Sequence, residues 1–244
     1  MERLPLALLI QQALQRYRQH FPDLMRVLAL PMLAHAVILF AWYPITQQDR
    51  VMVFLSGLAH ALLMTLAAIS CHRIILLGPE SVPRLGASGT TSRDWRFIAT
   101  AIALFIMVNL LLQPPAFAVF IPLALFAPEF APPGSDMAMA VARLAALPAV
   151  YVVSRYAICL PAAAVDRPLA PKQAWQLTRG NGWRLLLLVG ISPWVLHFMQ
   201  RSFTSVFSAN VDYVVAENLL FWLLLPLEIA LLSLCYQRLS KAVA

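Results

Sequence analysis

From Val51 to Cys71 the chain runs a full membrane-crossing length without an Asp, Glu, Lys or Arg, and stretches nearly as apolar recur along the sequence. About 20 helical residues of this kind cross a hydrocarbon core. No soluble domain of this size can hide several such stretches. The composition agrees, with 61% hydrophobic and 12% charged residues, against about a quarter charged in an ordinary soluble domain. The expected fold is all-α: a polytopic membrane helical bundle with about six transmembrane helices and two amphipathic helices on the cytoplasmic face. Residues 1–244 then form a single integral membrane domain.

The crossings are expected near Leu24–Tyr43, Val51–Leu77, Trp95–Leu112, Met137–Ala164, Trp183–Phe203 and Val214–Tyr236. Pro31 is placed to kink the first, and Trp42 and Tyr43 to form an interfacial belt. Ser56, Gly57, Ala59 and Ala61 would let the second approach a neighbour closely. Residues 79–94, rich in Pro, Gly, Ser and Thr, read as an exposed linker. Pro114, Pro115 and Pro122 interrupt the chain around Ala116–Phe126, which reads as a broken helix extension or an interfacial segment. Residues 127–136 form the next loop.

Two shorter segments have a different character. Leu6, Leu9, Ile10, Ala13, Leu14, Tyr17 and Phe21 follow the 3.6-residue period of one helical face, with glutamines, Arg16 and Arg18 opposite. This is the pattern of a helix lying along the interface, closed by Pro22, its basic side toward anionic headgroups. Within Asp166–Asn181, Pro171 suits a first helical turn and Gly180-Asn181-Gly182 a last one, giving a second surface helix that presents Trp175 and Arg179 at the interface. The apolar run Leu4–Ile10 has no small-residue cleavage site after it, so no removable signal peptide is expected.

The formal net charge of +7 is a matter of topology, since the basic residues gather at helix ends and form no solvated patch for nucleic acid. With the N-terminus in the cytoplasm, every Lys and Arg faces inward except Arg50, Arg143, Arg201 and the intramembrane Arg155. Acidic Asp49, Glu129, Asp136, Asp212 and Glu217 fall on the other side. This bias is the positive-inside pattern and predicts that both termini are cytoplasmic; the expected location is a bacterial inner membrane. The bilayer's anionic headgroups are the expected partner, with a membrane-protein partner or a second copy left open. Cys71, Cys159 and Cys235 lie in apolar segments without a CxxC pair, so neither metal nor cofactor is expected.

Two segments about 162 residues apart echo each other. Gln12-Ala13-Leu14-Gln15 matches Gln173-Ala174-Trp175-Gln176, and Pro31 and His35 match Pro193 and His197 at the same spacing. Cys71 and Cys235 follow at nearly the same offset. Two repeat halves, 1–78 and 166–244, joined by 79–165, would share one orientation, as in some transporters or after plain duplication of a hairpin.

Leu160-Pro161-Ala162-Ala163-Ala164-Val165-Asp166 followed by Gln173-Ala174-Trp175-Gln176-Leu177-Thr178-Arg179-Gly180-Asn181 resembles the YciC-like bacterial inner-membrane proteins. It is also similar to the membrane domain attached to some glycerophosphodiester phosphodiesterases. The resemblance covers about thirty residues, with weaker similarity in the N-terminal helix and first crossing. It implies a multi-pass membrane protein without a settled biochemical role. The phosphodiesterase catalytic domain has no counterpart here.

Measured along the helices from the charges that mark the inner interface, His35, His60, Asn109, Arg155, His197 and Glu228 reach similar depths, roughly 14 to 20 Å. A charge there costs at least about 2.5 kcal/mol on insertion scales. Arg155 and Glu228 are therefore expected to pair, or Arg155 to bond carbonyls freed near Pro161 while Glu228 is protonated. These six residues form a candidate intramembrane polar site. It serves either as interhelical hydrogen-bond glue or as a proton or cation site. No GxSxG elbow, HExxH or phosphate loop is present, and Gly86-Ala87-Ser88-Gly89 lacks the lysine that a phosphate loop requires. An accessory or membrane-organising role without catalysis is the leading expectation. A small transporter or channel subunit, or a membrane-embedded enzyme acting on lipid, are the alternatives.

Overall fold

A computed structural model describes residues 3–46, 50–126, 135–204 and 211–241. Among these the chain is helical and carries no strand. The elements are α1 (Leu6–Gln19), α2 (Phe21–Thr46), α3 (Arg50–Leu77), α4 (Ser92–Phe126), α5 (Asp136–Tyr156), α6 (Cys159–Ala164), α7 (Pro171–Leu177), α8 (Gly182–Leu185), a π-helical segment Leu186–Ile191, α9 (Ser192–Thr204) and α10 (Val211–Lys241). Among the described residues, six stretches are long and apolar enough to cross a membrane, with α5 and α6 sharing one and α8 to α9 another. Side chains such as Phe54, Phe105, Leu110, Leu144 and Phe198 stand exposed around the bundle, an apolar girdle that suits lipid and not water. The protein is a multi-pass membrane protein. The side chains of Trp42 and Tyr43 and the loop at 127–134 lie outside the described residues.

α10 is the axis. Its apolar window is 61% buried, against 6% for α4 at the periphery. Trp222, Ile229, Ala230, Leu234 and Cys235 of α10 join Leu9, Ala13, Leu24, Val27, Cys71 and Ile74 in one core. α1 lies along α10, so only half of its apolar stripe behaves as expected: Leu9 and Ala13 are buried, whereas Ile10 and Leu14 are exposed. Tyr17 donates a hydrogen bond to the Leu223 carbonyl at 3.1 Å, one residue from the carbonyl that Pro226 deprives of its helical donor. Burial pushes the Tyr17 phenol upward, keeping it a donor. α1 ends at His20, and Pro22 stands in the first turn of α2.

Local chemistry sets the other boundaries. α4 opens three residues earlier than expected because Thr91 and Asp94 form a reciprocal cap, each side chain accepting from the other's backbone N–H. It then continues through Pro114, Pro115 and Pro122 to Phe126, as membrane helices tolerate. The expected break at Ala116–Phe126 resolves as helix. The fourth crossing does break, at Ala157. Pro161 lacks the N–H that would reach the Ala157 carbonyl, and Leu160 N–H takes that carbonyl in a tighter turn at 3.0 Å. α6 closes with Arg167 N–H on the Ala162 carbonyl and Asp166 N–H on that of Ala163, a Schellman ending. Its left-handed position holds Asp166 at φ 60°.

The 79–94 linker is docked where an exposed strap was expected. Val82 is buried in the core, and Ala87 N–H donates to Ser70 Oγ at 2.8 Å. Gly86 has φ +91°, and a Cβ there would sit 3.1 Å from Ser70 Oγ and 3.4 Å from the Val27 carbonyl. The two amphipathic helices of the repeat halves take different neighbours, α1 against α10 and α7 against α5.

Gly86→Ala is expected to destabilise the protein by about 1–3 kcal/mol through the left-handed φ and the close contact. Gly57→Ala, which meets open space in α3, should stabilise by about 0.5–1 kcal/mol. Thermal unfolding in detergent measures both, and equal effects at the two positions would refute the docked linker.

Candidate functional site

The six polar residues expected at mid-membrane separate into three places. His35, His60 and His197 come together with Glu228 nearby, Arg155 belongs to a different cluster, and Asn109 joins neither. Asn109 is exposed on α4, and its amide returns to the Phe105 carbonyl at 2.8 Å.

Arg155 does not pair with Glu228. Its Nε donates to Thr178 Oγ1 at 2.9 Å and its Nη2 to the Trp175 carbonyl at 2.6 Å. The guanidinium carbon lies 3.4 Å from the centroid of the Trp175 ring, a cation–π contact. The arginine thereby binds α5 to the last turn of α7, where unsatisfied carbonyls and the negative dipole end favour a cation. Depth along a helix was the same for Arg155 and Glu228, but the two side chains leave their helices toward different neighbours.

The segment Trp175-Gln176-Leu177-Thr178-Arg179-Gly180-Asn181 acquires a structural meaning here. Trp175 stacks, Thr178 accepts, and Gly180 turns the chain at φ +78°. Asn181 Oδ1 receives the Leu4 N–H at 2.8 Å, tying the N-terminal segment to this end. Beside it, the Asp166 carboxylate faces Arg96 Nη2 at 3.0 Å, Arg73 Nη1 at 3.4 Å and Arg93 Nη1 at 3.7 Å.

The histidine cluster lies between α2, α3, α9 and α10, away from α1 and α7. The His35 and His60 rings are 4.2 Å apart. Trp222 Nε1–H donates to His35 Nδ1 at 3.1 Å, which leaves the His35 proton on Nε2. Phe221 stands between His60 at 5.9 Å and His197 at 6.2 Å, stacked on the latter. His197 Nδ1 is 3.3 Å from Gln200 Oε1, and Gln200 Nε2 donates to the Glu217 carbonyl at 2.9 Å. A pure acceptor at Gln200 Oε1 makes His197 Nδ1 the donor. Glu228 lies within electrostatic reach of His197.

His35, His60, His197, Gln200, Asn218 and Phe221 line a cavity of about 310 Å³. Among the described residues, His60 Nδ1 in this cluster is buried without a hydrogen-bond partner. Two imidazolium charges 4 Å apart would repel by about 4 kcal/mol at an effective dielectric of 20, so the His35–His60 pair accommodates at most one added proton. Gln200, Asn218, Phe221 and Trp222 were not singled out in the sequence: the two amides lie nearer the outer end of their crossings than the six residues grouped by depth, and aromatics in an apolar run carry no distinguishing signal. His72 was also missed. It is fully buried, and its Nδ1 lies 2.7 Å from Ser233 Oγ. Ser233 donates its own proton to the Ile229 carbonyl, so His72 Nδ1 is the donor.

Among the described residues no group of three His, Cys, Asp or Glu is placed to hold a metal ion, and Phe221 shows why for the histidines: it separates His197 from the other two. The three cysteines are free and buried. No family model matches the chain, and no curated protein or solved structure matches it either.

Arg155→Lys keeps the charge but loses the forked bonding and is expected to cost about 1.5–3 kcal/mol. Combined with Glu228→Gln, the losses should add within about 0.5 kcal/mol. A larger coupling in chemical or thermal unfolding would show that the two residues are linked after all.

Proposed function

We propose that this protein is an accessory, membrane-organising component of a bacterial inner membrane and not an enzyme. One observation carries the proposal: six polar side chains inside the bundle, Arg155, His35, Trp222, Gln200, His72 and Ser233, tie helices together. Arg155 joins α5 to α7, Trp222 and His35 join α10 to α2, Gln200 joins α9 to α10, and His72 with Ser233 joins α3 to α10. Interhelical hydrogen bonding is the ordinary use of such residues in lipid, at around 0.6 to 2 kcal/mol apiece. A catalytic set needs a nucleophile, a base and a stabilising donor converging on one point, and among the described residues no such convergence accompanies these ties.

The bias of the basic residues favours a cytoplasmic position for the end bearing α1 and α7. The resemblance to YciC-like inner-membrane proteins supports the inner-membrane location. Ser88 is exposed in the linker and Ser202 is exposed at the opposite end of α9. A membrane-impermeant maleimide applied to intact spheroplasts should label Ser202→Cys and spare Ser88→Cys, with the reverse in inverted vesicles. The buried native thiols keep the background low. Labelling of Ser88→Cys from outside would invert the topology.

A transport role is favoured by one specific observation, the unpartnered His60 Nδ1 beside the histidine-lined cavity. An unsatisfied polar atom in a low-dielectric interior costs about 1–3 kcal/mol, which a polar solute in the cavity would relieve. In proteoliposomes the accessory role requires no proton flux above that of protein-free vesicles and no headgroup turnover. Flux that Glu228→Gln abolishes while the protein stays folded would establish transport instead, and turnover would establish an enzyme.

A further inference from the structure

A second cavity, of about 500 Å³, opens between α1 and the last turns of α10. Three cations line it: Arg16 from α1, with Arg238 and Lys241 from α10. Four amides alternate with them, Gln12, Gln15 and Gln19 on one wall and Gln237 on the other, over a floor of Leu9 and Leu234. No carboxylate lines the cavity among the described residues. The sequence of the two walls is equally one-sided, for neither residues 3–22 nor residues 229–244 contain an Asp or Glu.

Such a lining selects its ligand by chemistry. Two guanidinium groups and an ammonium call for a concentrated anion, and the guanidinium fork matches phosphate oxygens in pairs. The amides add donors and acceptors for uncharged oxygens around that anion, such as glycerol hydroxyls and ester carbonyls. Position narrows the choice further. The cavity sits at the end of the bundle that the positive-inside pattern assigns to the cytoplasm, where the apolar Leu8, Ile10 and Leu14 of α1 stand exposed beside it. Basic pockets between membrane helices on that side suit anionic lipid headgroups.

We infer that the cleft between α1 and α10 binds a phosphoryl group, and that the group belongs to an anionic phospholipid headgroup. The inference deepens the accessory role proposed above and rests on its topology. α1 becomes a clamp: its Leu9–Ala13 stripe holds α10, while its polar face and the end of α10 enclose the headgroup from both sides.

Detergent-purified full-length protein titrated with dioleoyl phosphatidylglycerol, dioleoyl phosphatidylcholine or inorganic phosphate, and read by thermal shift, tests this. Phosphatidylglycerol should stabilise saturably, and the other two should not do so at the same concentrations. Arg16 and Lys241 are exposed enough to be replaced without disturbing the core. Arg16→Gln and Lys241→Gln should each weaken the apparent affinity about fivefold, the worth of one cation near an anionic surface. Arg84→Gln, the same charge change in the exposed part of the linker, should leave it unaltered. A response to phosphatidylcholine equal to that to phosphatidylglycerol, or intact affinity in the Arg16→Gln/Lys241→Gln double variant, overturns the site. Inorganic phosphate matching the lipid would overturn the lipid source and assign a soluble phosphate. Failure of the topology is separate, because it appears in the maleimide labelling of Ser88→Cys and leaves the detergent titration unaffected.

Discussion

Hydrogen bonds between helices hold this bundle in register where hydrophobic burial cannot. In lipid, an apolar side chain gains little by leaving the acyl chains for a helix neighbour, so packing and polar ties decide which helices meet. α10 collects most of these ties: Tyr17 reaches its Leu223 carbonyl, His35 accepts from its Trp222, Gln200 bonds its Glu217 carbonyl, and His72 bonds its Ser233. Four elements are thereby registered against one axis. α4, whose described side chains make no tie of this kind to α10, remains the most lipid-exposed crossing.

A second set of contacts organises the end that bears α1 and α7. Asp166 occupies a left-handed position that costs an ordinary residue about 1–2 kcal/mol, and glycine would fit it more easily. The carboxylate it brings there meets arginines from the end of α3 and the start of α4. Each pair is partly exposed and weak alone. Together they fix where two crossings emerge relative to α6. Arg155 on Trp175 and Asn181 on Leu4 extend the same stitching to α7 and the N-terminal segment.

The crossings were legible because hydropathy over 20 residues is insensitive to detail, and the two short helices because their period and end residues agree. Three features were not legible. Pro161 breaks the fourth crossing while Pro114, Pro115 and Pro122 leave α4 unbroken, since the outcome depends on whether the freed carbonyls find other donors. The docking of Val82 and Gly86 depends on Ser70, a residue unremarkable in its own run. The pairing of Arg155 failed because sequence spacing gives height along a helix and not the direction in which a side chain leaves it. Three of the six residues grouped by depth, His35, His60 and His197, line one cavity, which Gln200, Asn218 and Phe221 complete from positions that depth alone did not connect to them.

The length of α4 has a mechanical consequence. Its 35 residues extend about 52 Å at 1.5 Å per residue, whereas the hydrocarbon layer measures about 30 Å. A helix so much longer than its solvent layer must lean, protrude or thicken the lipid beside it, at a cost of fractions of a kcal/mol per ångström. Because few side chains hold α4 from the inside, its tilt is set as much by the bilayer as by the protein. Membrane thickness is therefore a variable to which this chain's outermost helix is mechanically coupled.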